Sequence, residues 1–214
     1  MNQSTTGLGV DFDKLIVVMQ TFVDQYFAPV WGTPAKLVKA KDFVKDAWAM
    51  VFLDNADVEG ALGYHNLTPD HLPLSKIFVE TTRRSGGEVS ITASHELSEM
   101  LVDPAANLCA VGPKGWIYAY EVCDAVEEES FLIDKIPMTD FVYPSFFEPF
   151  REPRSTQFDS MRKLSRPFQI LKGGYMPVFR DGEWTQIFGS PEKRKQYIEE
   201  QSQQRTDRRG KPSF

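Results

Sequence analysis

The chain has 214 residues, 42 % of them hydrophobic and 25 % charged, a balance that suits a folded globular protein rather than a disordered, fibrous or coiled-coil one. A chain of this length buries roughly 70 % of its unfolded surface, so it needs no metal or disulfide merely to fold. The formal charge of −6 argues against general nucleic-acid binding, and the absence of an apolar run of about 18 residues against a membrane span.

Residues 1–10 are small and polar and are predicted to be a flexible N-terminus, without the basic-then-apolar pattern of a secretory signal. Phe12, Leu15, Ile16, Met19, Phe22, Val23, Tyr26 and Phe27 recur at helical spacing, so residues 12–28 read as an amphipathic helix ended by Pro29 and Gly32-Thr33-Pro34. The apolar run 47–53 suits a buried strand. Residues 61–66 suit a short edge strand before a Pro-rich loop, and residues 76–81 a further strand. Ser85-Gly86-Gly87 makes a turn, and residues 89–102 a helix. Pro104 stops that helix, because it has no amide hydrogen and disfavours the α conformation at Asp103.

Alternating bulky residues at 116–122 predict a strand. Residues 141–168 are irregular, and their aromatics (Phe141, Tyr143, Phe146, Phe147 and Phe150) are expected to be mostly core. Residues 175–188 predict a hairpin about Asp181-Gly182. Residues 191–204 read as a surface helix and 205–214 as a disordered basic tail. The order of elements is that of an α+β fold, with a main body over residues 11–190 and a charged tail over 191–214. Cys109 and Cys123 are too few for a disulfide framework and read as reduced thiols of a cytoplasmic protein.

The chemistry concentrates in Thr92-Ala-Ser-His95-Glu96-Leu-Ser-Glu99-Met-Leu-Val-Asp103-Pro104. His95 and Glu99 are one helical turn apart on one face and can share a metal ion. Glu96 lies about 100° around the helix, where a carboxylate can take a proton from water as a general base. Asp103 lies roughly on the His95 face but about 12 Å along an unbroken helix, so it is at most an auxiliary residue. The third ligand is expected from Glu121-Val-Cys-Asp124. In this reading Glu121 completes the ligand set, and Asp124 orients His95 by accepting its second ring N–H. His65 and Tyr143 are auxiliary candidates. The same letters also fit an acidic helix face with His95 hydrogen-bonded in the core.

These residues resemble a known pattern. The order helix, strand, edge, strand, helix, followed by HELSE, resembles the zincin fold of metallopeptidases. Glu121 and Asp124 are similar to the distal glutamate ligand and outer aspartate of its gluzincin branch. The segments ALGYHNLTPD, KIFVETT, ASHELSEMLVDP, YAYEVCDAVE and DFVYPSFFEPF resemble, over residues 45–190, a family found in bacteria and tailed bacteriophages. A shorter likeness, confined to the helix and the acidic pair, is to plant Exordium-like proteins. Two departures stand out. Glu99 occupies the place of the second gluzincin histidine, and the E-x-x-D pair is one residue short. One imidazole with two carboxylates is a harder ligand set than most peptidase zinc sites use, so Zn²⁺ is expected with Mn²⁺ or Ca²⁺ as alternatives.

The resemblance implies a metal-dependent hydrolase acting on a peptide or protein substrate. The alternative is a non-enzymatic virion or assembly protein, virion-associated, that contacts phage structural proteins or itself.

Overall fold

The computed structural model describes residues 1–58 and 61–200. The predicted tail at 205–214 and the end of the predicted surface helix lie outside the described residues.

Helix α1 (Phe12–Phe22) begins where the Asp11 carboxylate accepts the Lys14 amide, and it buries Leu15, Val18, Met19 and Phe22. A π-helical turn (Val23–Phe27) leads into α2 (Ala28–Trp31). Pro29 does not end the helix as predicted. It falls in the first turn of α2, where a missing amide hydrogen costs little. Gly32 ends it instead, in the left-handed conformation (φ 70°).

The first sheet contains β1 (Ala49–Leu53), β2 (Gly63–Leu67) and β3 (Pro73–Phe78) in the order β1-β3-β2. β1 runs parallel to β3, and β2 runs antiparallel to it along the edge. The strand expected at 76–81 stops at Phe78 and gives way to α3 (Val79–Arg84). The Asp54 carbonyl accepts the amides of Glu80 and Thr81, which turns the chain out of the sheet.

Helix α4 (Val89–Val102) has the predicted bounds and packs against β2, β3 and the later strand Ile136–Thr139. A second sheet is antiparallel, in the order β4 (Cys109–Val111), β5 (Ile117–Ala119), β8 (Tyr175–Arg180), β9 (Glu183–Phe188). The hairpin β8–β9 turns at Asp181 (φ 53°) and Gly182 (φ 88°), as the sequence suggests. A smaller hairpin, β6 (Ser130–Ile133) with β7 (Ile136–Thr139), has no counterpart in the sequence reading. Its turn residues Asp134 and Lys135 both take positive φ (48° and 65°) without a glycine to announce them.

Phe141, Phe146 and Phe147 are core, as expected; Phe141 meets Phe27 edge-on at 4.9 Å. Phe150 is not core but 71 % exposed. The irregular segment after β7 is held by two fully buried acids. Asp140 accepts the amides of Phe141 and Met161, and Asp159 those of Lys163 and Leu164. The last described element is α5 (Pro191–Glu200). Among the described residues no helix is long and apolar enough to cross a membrane. Cys109 is exposed and Cys123 buried, and no disulfide joins them. The architecture is α+β, with α4 at its centre.

Candidate metal centre

A helix buried on all sides is ordinarily apolar. In α4, however, Ser90, Ser94, His95, Glu96, Ser98 and Glu99 are buried alongside Ala93, Leu97, Met100 and Leu101. The serines are accounted for locally. Ser90 donates to the Pro137 carbonyl, and Ser94 accepts the Thr139 amide, which seats β7 on the helix. His95, Glu96 and Glu99 instead face the β2 edge and the 121–124 segment. Buried ionisable groups must be paired or bind a cation.

His95 Nε2 stands 3.1 Å from Glu99 Oε1 and 3.2 Å from Asp124 Oδ1. Glu99 Oε1 also accepts the Cys123 amide at 3.4 Å, so helix and loop meet at this carboxylate. The loop is itself pinned. The Val142 amide bonds the Val122 carbonyl at 2.7 Å, and the Leu171 amide bonds the Ala125 carbonyl at 3.0 Å. Gly174, just before β8, lets that backbone pass close: a Cβ there would fall 2.3 Å from the Ala125 oxygen and 2.8 Å from the Asp124 oxygen. Gly174→Ala is therefore expected to displace the Asp124 turn and destabilise the chain by about 1–3 kcal/mol, measured by denaturant unfolding.

The structure places the expected residues as follows. His95, Glu96 and Glu99 lie together, at 0–6 % exposure. Asp124 was expected to accept the second ring N–H of His95. Its Oδ1 stands 3.2 Å from Nε2, the same nitrogen that faces Glu99 Oε1. Glu121 is 2 % exposed, and its charge acts on His65. His65 Nδ1 points at Glu96 Oε2 (3.8 Å) and Glu99 Oε2 (4.0 Å). His65 Nε2 donates to the Asp103 carbonyl at 3.0 Å, since a carbonyl can only accept. The Asp103 carboxylate accepts the amides of Asn107 and Leu108, so this residue ends α4 and orients His65. Tyr143 stacks on Phe141 at 5.9 Å and senses Arg162, Asp140 and Asp159. Cys123, expected only as a reduced thiol, adds Sγ to the His95–Glu99 group, with the three donors within 4.8 Å of one another. With no second cysteine at metal-ligand spacing, Cys123 carries no metal-site signal in the sequence.

Electrostatics follow this arrangement. Burial alone would lower the His65 pKa, but Glu96, Glu121 and Glu99 together outweigh it and hold it above the ordinary histidine value. Burial, with the charges of Glu99 and Asp124, pushes the Cys123 thiol well above its usual range, which keeps it neutral. Cys123 Sγ lies 3.9 Å from the His95 carbonyl, a contact with the helix backbone.

The donor set fits a divalent cation. Bonds of about 2.1 Å at ordinary coordination angles put neighbouring donor atoms about 3.0–3.4 Å apart. The two carboxylate oxygens beside His95 Nε2 stand at 3.1 and 3.2 Å from it, and, among the described residues, the groups whose donors all lie within 4.8 Å of one another are His95, Glu99 and Cys123, and His65, Glu96 and Glu99. Gly63 makes room for Glu96, because a Cβ there would lie 2.8 Å from Glu96 Cγ. An apolar cavity of about 490 Å³ lies elsewhere on α4, lined by Leu15, Met19, Leu37, Trp48, Leu97 and Met100, and holds none of these acids.

No protein-family model, no curated protein and no solved structure matches this chain.

Proposed function

We propose that the chain is a metal-dependent hydrolase, zincin-like in its use of a His-Glu-x-x-Glu helix, acting on peptide bonds. One observation carries this reading: the buried donor atoms of His95, Glu99 and Cys123 lie within 4.8 Å of one another, and Asp124 Oδ1 stands 3.2 Å from His95 Nε2. His95 and Glu99 would hold the cation, with the Cys123 thiol and the Asp124 carboxylate as the neighbouring donors. Glu121 is buried close enough for its charge to act on His65. Zn²⁺ suits one imidazole with carboxylates, and Mn²⁺ is the alternative. Ca²⁺ is less suited, because it takes oxygen ligands.

When bound, such a cation supplies Lewis acidity and lowers the pKa of a water molecule towards ~7. The chain's own residues supply the rest. Glu96, adjacent to His95 and packed under Gly63, accepts the proton of the attacking water and returns it to the leaving amine. His65, positioned by the Asp103 carbonyl, aims at the Glu96 carboxylate and steadies its charge. β2 is an edge strand, and an extended peptide can add to such an edge through its backbone, next to Glu96.

Glu96→Gln is expected to keep the cation and fold but to lose about 10²–10⁴-fold in peptide hydrolysis. Peptidase assay and metal analysis of the same preparation test this together. Full activity in the variant would remove Glu96 from its role.

The burial of every ligand to 6 % exposure or less favours a second reading, because structural cation sites are closed. There the ion clips α4 to the 121–124 loop of a non-enzymatic assembly or virion protein. Metal retention with no hydrolysis by the parent chain across a peptide library would select it.

A further inference from the structure

We propose that His65, Glu96 and Glu99 form a second divalent-cation site, beside the first and sharing Glu99 with it. The inference rests on the metal-centre reading above and extends it. Its three donors lie within 4.8 Å of one another, and all three residues are buried. Glu99 turns its two oxygens to different imidazoles. Oε1 lies 3.1 Å from His95 Nε2, and Oε2 lies 4.0 Å from His65 Nδ1.

His65 is built for this role. It comes from β2, whose alternation turns the side chain inward, and it is 6 % exposed. Its Nε2 proton is committed to the Asp103 carbonyl, which fixes the ring and leaves Nδ1 aimed at the acids. The separations from Nδ1, 3.8 Å to Glu96 Oε2 and 4.0 Å to Glu99 Oε2, are too long for hydrogen bonds. They fall within the span of about 4.4 Å that two donors can have around one cation with ~2.2 Å bonds. A carboxylate shared in this way holds two cations about 3.5–4 Å apart. With the second site filled, Glu96 is a ligand and is no longer available as a proton acceptor, so the second equivalent opposes turnover.

The test is the stoichiometry of Mn²⁺ binding by equilibrium dialysis, with electron paramagnetic resonance of the fully loaded protein. The parent chain is expected to bind two equivalents and to show the signature of a coupled Mn²⁺ pair. His65→Ala and His65→Gln are expected to bind one equivalent, with an uncoupled signal. A parent chain that binds a single equivalent, lost in His95→Ala, would overturn the second site and leave the first standing. A single equivalent lost in the His65 variants but kept in His95→Ala would overturn the first site instead. Two equivalents in both His65 variants, or two uncoupled ions in the parent, would overturn the shared site whatever the folding of any variant. No bound Mn²⁺ at all would overturn both.

Discussion

His95→Ala is expected to lose most of the stabilisation that a divalent cation confers on the parent chain. A ligand that binds only the folded state stabilises it by RT ln(1 + [L]/Kd), about 2.7 kcal/mol when its free concentration is 100 times Kd. For a chain of this size that raises Tm by about 5–10 °C. His95 contributes the imidazole that faces both Glu99 and Asp124. Losing outer partners of a metal ligand already costs 10–100-fold in affinity, so losing the ligand should cost ~100-fold or more. At the same cation concentration the stabilisation then falls to about 0.4 kcal/mol. Thermal melts with Zn²⁺, with Mn²⁺ and with a chelator, on both proteins, give the answer. Equal metal-induced shifts in parent and variant would show that the ion binds elsewhere.

The second large effect is on pH dependence and comes from the acids that anchor the segment after β7. Asp140 is fully buried and faces Asp159; burial first, and then the neighbouring carboxylate, push its pKa up to about 8. Between about pH 4 and that value the folded chain keeps a proton that the unfolded chain releases. Stability from this group is therefore fully present at low pH and is lost as pH rises through the window, at up to about 1.4 kcal/mol per pH unit. Asp140→Asn removes the titration. The amide oxygen can still accept from Phe141 and Met161, and the NH₂ group can donate to Asp159. The variant should be more stable than the parent near pH 8, and its stability should vary less between pH 5 and 8, by chemical denaturation. Asp159→Asn should behave oppositely. Each Asp159 oxygen accepts a backbone amide, from Leu164 and from Lys163, so an NH₂ group there must face one of them. A cost of about 1–3 kcal/mol is expected. Equal behaviour of the two variants would contradict the assignment of the proton to Asp140.

The contrast between these two sites shows what was legible in the residues. α4 was readable to its bounds, because Gly86-Gly87 and Pro104 punctuate it and the His95–Glu99 spacing marks one face. The β8–β9 hairpin was readable from Asp181-Gly182. The β6–β7 hairpin was not, because its turn puts Asp134 and Lys135 into left-handed conformations that their types do not advertise. Asp124 could be placed near His95 from spacing, but not on a particular ring nitrogen. That orientation depends on the close approach of Gly174 to the Asp124–Ala125 backbone, some 50 residues along the chain. His65 was seen only as an auxiliary residue, because its direction is set by the pairing of β2 with β3 and by the carbonyl of Asp103. The Asp140–Asp159 pair left no trace in the sequence, since nothing local links positions 19 residues apart.

The most direct measurement is anomalous diffraction from crystals equilibrated with Zn²⁺, with data collected at the zinc absorption edge. A peak about 2.1 Å from His95 Nε2, bonded also to carboxylate oxygens of Glu99 and Asp124, is the predicted result. Well-diffracting crystals whose zinc peaks all lie on the surface, with His95, Glu99 and Asp124 contacting only one another, would contradict it.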